Sequence, residues 1–319
     1  MNKEQLKKGL EFVSAAPANE ISLVMYFILK DLSIRKADID DQAMASLRDQ
    51  FVKNIAATLI GNDELHFAGI TTADNRKNAA YFFDLDKLPE GLRVMDRLLS
   101  NQKAELFDFK KDHYEDTVGF VFLLGNASNK IAIYKKQYPI NLLGRDAFVR
   151  LVKSRQRLVK VKEDIININE KFDFMQIGDE LIVINMDTLE KYFGFEDVIR
   201  SSAANNLALI KEANLVVDIT PLQEMTTDLR FARKLMRVKA DPAVMGLPFA
   251  KVRSFIKQHP KLRRRVRFNG DETRIALDTK TSKELFLKLL DDDFLKSDLT
   301  EFLYEAELKD RLSNEEVSD

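Results

Sequence analysis

The stretch ISLVMYFILK, residues 21–30, is a continuous apolar run rich in β-forming side chains. Its length suits a strand and falls far short of the roughly 20 apolar residues that a membrane span requires. The rest of the chain can supply a core for such a strand, because 45% of its 319 residues are hydrophobic. That content excludes global disorder. A chain of this length exceeds what one core ordinarily organises, so two domains are expected.

Cysteine is absent. Disulfides, thiolate nucleophiles and cysteine-ligated zinc are therefore excluded, and the composition fits a reducing cytoplasm. The opening MNKEQLKKGLEF is too charged for a signal peptide.

Downstream, Met44, Leu47, Phe51, Ile55 and Leu59 recur three or four apart, an amphipathic helix that Gly61 ends. ELHFAGI (64–70) and AAYFFDL (79–85) read as strands, and Leu92, Met95, Leu98 and Leu99 share one face of a short helix. TVGFVFLL and KIAIYKKQ read as a hairpin through GNASN, and FDFMQIGDELIVINM (172–186) as another turning at Gly178-Asp179. Residues 187–213 read as mostly helical and 227–258 as two or three short helices. The expected fold is α+β, with mixed or antiparallel sheets and flanking helices. The bend YPINLLGR places a boundary near 138–145, giving an N-terminal α/β domain over 1–142 and a basic C-terminal domain over 143–319.

Charge is segregated along the chain although the total is −1. From Arg230 to Arg267 there are thirteen lysines and arginines and one acid, Asp241, a balance of +12. The run ends in HPKLRRRVRFNGDETRIAL (259–277), where Asn269-Gly270 signals a hairpin whose loop holds two residues, as a type I′ turn, or four, with the same pairing parity either way. Alternation then places Val266, Phe268 and Ile275 on one face and Arg265, Arg267 and Arg274 on the other. Like charges opposed on one sheet face are destabilising, so a fold that keeps them there usually sets an anion against them. A second run, Lys130 to Lys162, has ten basic residues against Asp146 alone, and its portion FVRLVKSRQRLVKVK (148–162) suits another basic strand.

Lysine and arginine clusters are the footprint of phosphate binding, and arginine offers a planar fork of donors. The alternative is a solvated surface cancelled by acids elsewhere in the fold. Two separate runs, with arginine preferred over lysine in the hairpin, favour a polyanion. No recognition helix, zinc finger or aromatic RNA-binding signature is present, so contact runs through the nucleic-acid backbone with little sequence readout. The expected centre is Arg263, Arg264, Arg265, Arg267 and Arg274, with Arg253, Lys257 and Lys261 beside it; Lys153, Arg155 and Arg157 form an extension.

The end of the chain has the opposite sign. From Asp291 onward eleven acids face three bases, a balance of −8. TSKELFLKLL opens with a Thr281/Glu284 capping-box pattern, and Ser297 can cap a second helix, DLTEFLYEAELKDRL, whose apolar face is Leu299, Phe302, Leu303, Ala306 and Leu308. An acidic helical pair is expected, packed on its own domain, at an interface, or over the basic face.

No catalytic residue, metal site or cofactor is assigned. His66, His113 and His259 lack ligand spacing, and the scattered glycines form no phosphate-cradling loop. A metal-dependent nuclease would draw on Asp84 and Asp86, on Asp291 to Asp293, or on the ELK fragment at 307–309, which falls on a helix rather than at a strand end.

FDFMQIGDELIVINMDTLEKYFGFEDVIR (172–200) and TKTSKELFLKLLDDDFLKSDLTEFLYEAELKDRL (279–312) resemble the KwaB family of the Kiwa anti-phage defence system. The resemblance spans roughly residues 150–312 and contains no catalytic signature. It implies a cytoplasmic defence effector that binds double-stranded DNA and blocks phage DNA transactions without cleavage. It also implies a homodimer or larger homo-oligomer, acting with the membrane protein KwaA at the inner face of the membrane. The rival reading is an interaction module whose basic face meets anionic lipid or an acidic partner.

Overall fold

The computed structural model describes residues 1–15, 20–73, 76–85, 88–126, 128–138, 142–143, 151–154, 157–160, 165–238, 244–297 and 299–306. The fold is α+β. The chain forms two compact units, Met1–Ile70 with Lys77–Phe193, and Thr71–Arg76 with Gly194–Asp319.

The first unit opens with helix α1 (Lys3–Ala15), followed by strands β1 (Ser22–Leu29) and β2 (Ile34–Lys36) and helix α2 (Asp41–Ile55). Then come β3 (His66–Gly69), β4 (Ala79–Phe82), α3 (Val94–Leu99), β5 (Glu105–Leu106), β6 (Thr117–Gly125) and β7 (Lys130–Lys136). Two short pairs join β8 (Leu142–Leu143) to β11 (Ile165–Ile166) and β9 (Leu151–Ser154) to β10 (Arg157–Lys160). The hairpin β12 (Phe174–Ile177) and β13 (Glu180–Val183) and helix α4 (Met186–Tyr192) complete the unit.

Nine of these strands form one sheet in the order β3-β4-β13-β12-β7-β6-β1-β2-β5. Pairing is antiparallel except at its two margins, β3–β4 and β2–β5. Its register explains the apolar runs. Met25, Phe122, Ile133, Met175, Ile182 and Phe82 are successive cross-strand partners, a hydrophobic row across six strands. Leu6, Leu10 and Val13 of α1 and Phe51 and Ile55 of α2 join the core on that face. On the other face Tyr26, Val121, Tyr134, Phe174, Val183 and Tyr81 form a parallel row. There Tyr134 crosses β6 so closely that a methyl group on Gly119 would lie 2.2 Å from its hydroxyl. A central strand buried on both faces must be apolar on both, which is why β6 reads as an unbroken run.

Buried Asp173 joins three elements. Its carboxylate accepts the Lys136 backbone N–H at 2.7 Å, the Asn185 amide at 2.8 Å and the Thr188 hydroxyl at 2.9 Å, linking β7 to β12 and the start of α4. The 142/143 division expected from sequence falls between β7 and β12, which pair with each other in this sheet. Helix α1 was not assigned from sequence. Asn2 and Gln5 nevertheless cap it reciprocally, each side chain accepting the other's backbone N–H at 2.8 Å.

The second unit contains helices α5 (Phe195–Glu212), α6 (Thr220–Met225), α7 (Leu229–Arg237) and α8 (Phe249–Gln258), hairpin β14 (Arg267–Phe268) and β15 (Ile275–Ala276), helix α9 (Lys280–Leu290) and hairpin β16 (Phe294–Lys296) and β17 (Leu303–Glu305). Phe195, Ile199, Ala203, Leu207 and Ile210 recur at helical spacing on α5 and are buried. Asn206 donates to the carbonyls of Leu235, Met236 and Val238 at 2.8, 3.2 and 2.6 Å, which fixes the end of α7 against α5.

The closing helix expected over 298–312 is corrected: residues 303–305 form β17, antiparallel to β16. Ser297 does act as a cap, accepting the Thr300 N–H at 3.2 Å, but Glu301 then adopts φ 58° and the turn goes no further. The Ser297 N–H instead reaches the Phe302 carbonyl at 3.0 Å and closes a hairpin. Helix α9 forms as expected, capped two residues earlier than expected, by Thr279 with Ser282 rather than Thr281 with Glu284.

Candidate polyanion-binding surface

The basic surface of the second unit is built on α8, the turn that follows it, and the β14–β15 hairpin. Val252 and Ile256 bury one side of α8. Phe249 meets Phe268 edge-on, with ring centroids 6.2 Å apart. The hairpin is fixed from the other side by Leu215 and Val217, whose backbones bond to Ile275 at 2.9 Å on each side.

Helix α8 ends at His259, which is buried between Phe255 and Phe294, with ring centroids 5.8 and 4.8 Å away. Its imidazole pKa is lowered by burial, so the ring resists adding to the positive charge. Beyond Pro260 the chain makes a tight turn in which the Val266 N–H bonds the Leu262 carbonyl at 2.8 Å. Leu262 and Val266 are buried. The three residues between these anchors, Arg263, Arg264 and Arg265, are all exposed.

The pairing of the hairpin follows the expected faces. Phe268 opposes Ile275 and Arg267 opposes Ala276, so the apolar pair faces inward and Arg267 outward. Arg265 belongs to the turn and not to a strand. Of the two loop lengths the sequence allowed, the structure has the longer, four residues, and not the two-residue type I′ turn. The Asn269 N–H reaches the Arg274 carbonyl at 3.0 Å, which leaves residues 270–273 as the loop. The residue with positive φ is Glu272, at 55°. The Asn269 side chain accepts the N–H groups of Thr273 and Arg274 at 2.9 and 2.8 Å, and this local bonding opens the tight turn.

Carboxylates divide the basic residues into two sets. Glu272 bonds Lys257 at 2.6 Å and lies 3.9 Å from Arg253, which also donates to the Glu272 carbonyl at 3.2 Å. Glu305 binds Lys261 and also Lys288, the latter at 2.7 Å. Those two lysines, Lys261 first, hold the Glu305 pKa down at about 2. Arg237 is likewise paired, with Asp291 at 2.9 Å. By contrast Arg263, Arg264, Arg265 and Arg267 form no ion pair with any described carboxylate. Arg274 is half-buried beside Asp271, whose pKa is lowered chiefly by the Thr273 hydroxyl and less by Arg274. The structure therefore brings Arg253, Lys257, Lys261, Arg263, Arg264, Arg265, Arg267 and Arg274 onto adjoining elements, and neutralises the first three. Sequence reading missed Glu272 and Glu305 as the neutralising groups. Glu305 lies 44 residues from Lys261, and no local pattern signals that contact.

Lys153 lies on β9 and Arg157 on β10, in the first unit, where Arg157 opposes Ser154 and Lys153 opposes Leu158. Arg155 lies outside the described residues.

Among the described residues no group of three or more histidines and carboxylates is arranged to hold a metal ion. His66 packs edge-on against Tyr81 in the sheet and His113 precedes a short turn. Asp86 and the Glu307 and Lys309 fragment lie outside the described residues. No described helix is long and apolar enough to cross a membrane.

Residues 114–300 match the family described as Kiwa protein KwaB-like. Over 316 residues the chain is 26% identical to the Kiwa protein KwaB of Escherichia coli O55:H7 (strain RM12579 / EPEC), covering 98% of this chain and 99% of that protein. No solved structure matches the chain.

Proposed function

This chain belongs to the Kiwa protein KwaB-like family, and from that premise we propose that it is an anti-phage defence effector that grips double-stranded DNA by its phosphates and obstructs phage DNA transactions without cutting. The observation that carries this reading is the exposed set Arg263, Arg264, Arg265 and Arg267, three on the turn closed by the Val266–Leu262 hydrogen bond and one on β14, left without described carboxylate partners. Four neighbouring guanidinium groups repel one another, and a row of phosphates relieves that repulsion while releasing condensed counterions. Arg274 completes the centre, and the carboxylate-bound Arg253, Lys257 and Lys261 lie at the border of the contact. Lys153, Arg155 and Arg157 extend it if their hairpin reaches the same duplex. The full assembly in this reading is a homodimer or larger homo-oligomer acting with KwaA at the inner face of the membrane.

A second reading has one observation in its favour. Leu299 and Phe302, on the loop of the β16–β17 hairpin, are 94% and 66% exposed, and Glu305 of that hairpin holds Lys261. Apolar tips beside cations also suit an anionic lipid surface.

One experiment separates the two. The full chain and its R263E/R265E/R267E variant are titrated against a short duplex and against phosphatidylserine vesicles. The DNA reading expects duplex binding that the variant loses. Duplex binding untouched by the charge reversal, or vesicle binding with none to duplex, overturns it.

A further inference from the structure

We propose that the cleft on the α3 side of the first unit's sheet, bounded by Lys36, Lys103 and Lys130, binds a small phosphorylated ligand with a flat apolar part, of the nucleotide class.

The cleft follows from a mismatch between a wide sheet and a short helix. Helix α3 has six residues and so extends only about 9 Å. Its buried Val94, Met95 and Leu98 help cover the centre of the sheet, where Val121, Ala132, Tyr134 and Phe174 are buried. The same face is left open at β1. Val24, Tyr26 and Leu123 belong to that face by register, yet they remain only half-buried. They floor a depression of about 420 Å³. That volume is within the range of small-molecule sites.

The rim is cationic without compensation. Lys36, Lys103 and Lys130 line the cleft, and among the described residues no aspartate or glutamate does. Lys36 is the cross-strand partner of Tyr26, so both rise from one face. Lys130 stands in the row of Gly125 and Ser22, four residues further along β1, or about 13 Å away. The cations therefore stand at both ends of an apolar floor. Lys130 is leaned inward by a 3.2 Å bond to the side chain of Asn101, a residue held at φ 60°. Lys36 and Lys103 are exposed and form no ion pair with a described carboxylate. The Tyr26 hydroxyl, in the floor, has no hydrogen-bond partner among the described residues. Burial raises its pKa, so it stays a neutral donor.

These features match two parts of one ligand. A planar base lies on Tyr26 and the aliphatic floor, as bases do on aromatic side chains. Phosphates meet lysine ammonium groups that otherwise repel one another. The site is built from first-unit residues and shares none with the arginine turn of the second unit.

The test is calorimetric titration of the full chain with ATP, adenosine and tripolyphosphate. ATP is expected to bind at about millimolar or tighter, with adenosine and tripolyphosphate each at least about tenfold weaker. K36A and K103A alter exposed side chains and should each weaken ATP by about tenfold, with K103R retaining affinity. R263E/R265E/R267E should leave ATP binding unchanged, which keeps this inference independent of the DNA reading. No heat with ATP up to about 5 mM overturns the proposal, as does ATP affinity indifferent to both K36A and K103A. Tripolyphosphate binding as tightly as ATP overturns the nucleotide assignment.

Discussion

If the arginine turn holds duplex phosphates, the salt dependence of binding should count the unpaired guanidinium groups. Arg263, Arg264, Arg265, Arg267 and Arg274 are not bound to Glu272 or Glu305. Five contacts at about −0.9 each give a slope of about −4.5 in log affinity against log salt. Raising salt from about 50 to 200 mM then costs about 500-fold. R263A/R265A/R267A leaves two contacts, a slope of about −1.8 and a loss of about twelvefold over the same interval. The opposite perturbation is Glu272→Gln, which releases Lys257 and Arg253 from their shared carboxylate. Seven contacts steepen the slope to about −6.3, with tighter binding at low salt. Fluorescence anisotropy with a labelled duplex at four or more salt concentrations measures all three. A wild-type slope shallower than about −2, or one that neither the alanine variant nor Glu272→Gln moves, refutes the assignment of these side chains.

Three further outcomes follow from the packing. Glu305→Gln should lower urea stability at neutral pH, because it removes the carboxylate shared by Lys261 and Lys288. The Glu305 pKa falls from 4.5 unfolded to about 2 folded, so its stabilisation is complete above about pH 4.5 and vanishes as pH falls towards 2. The gap between wild type and variant should close over that interval, and a gap constant with pH would contradict the ion pair. Asp173→Ala strips three donors of a buried acceptor and should cost about 3 kcal/mol or more by chemical denaturation, at about 1–3 kcal/mol per orphaned group. Gly119→Ala drives a methyl into Tyr134 and should cost about 1–3 kcal/mol as a lowered melting temperature, whereas a neutral result would mean that Tyr134 does not cross β6 so closely.

Strand and helix identity was legible wherever burial imposed a period. ISLVMYFILK became β1, the hairpins about GNASN and Gly178-Asp179 became β6–β7 and β12–β13, and the stripe from Met44 to Ile55 became α2. Elements whose outcome depends on distant partners were less legible. Leu299, Phe302 and Leu303 have helical spacing, but residues 303–305 pair with β16, and Glu305 reaches Lys261 and Lys288 from there. At Asn269-Gly270 the dipeptide signalled the hairpin but left its loop at two or four residues, and the longer loop is held by the asparagine side chain, which accepts the Thr273 and Arg274 N–H groups. The arginines were found from charge alone. Their division into neutralised and unpaired sets required the coordinates, because sequence does not reveal which carboxylate comes within reach. The lysine-rimmed cleft had no local signature either, since its cations come from β2, the segment after α3, and β7.

The strand order has a practical corollary for anyone trimming the chain to its family-matched segment, residues 114–300. That segment supplies β6, β7, β12 and β13, four consecutive strands from the middle of the sheet. Cutting at residue 114 removes β1 from beside β6 and β4 from beside β13, baring two unpaired backbone margins at once. It also removes α1 and α2, which shelter the Met25–Phe122–Ile133 row. Such a fragment should be recovered as sticky, self-associating material.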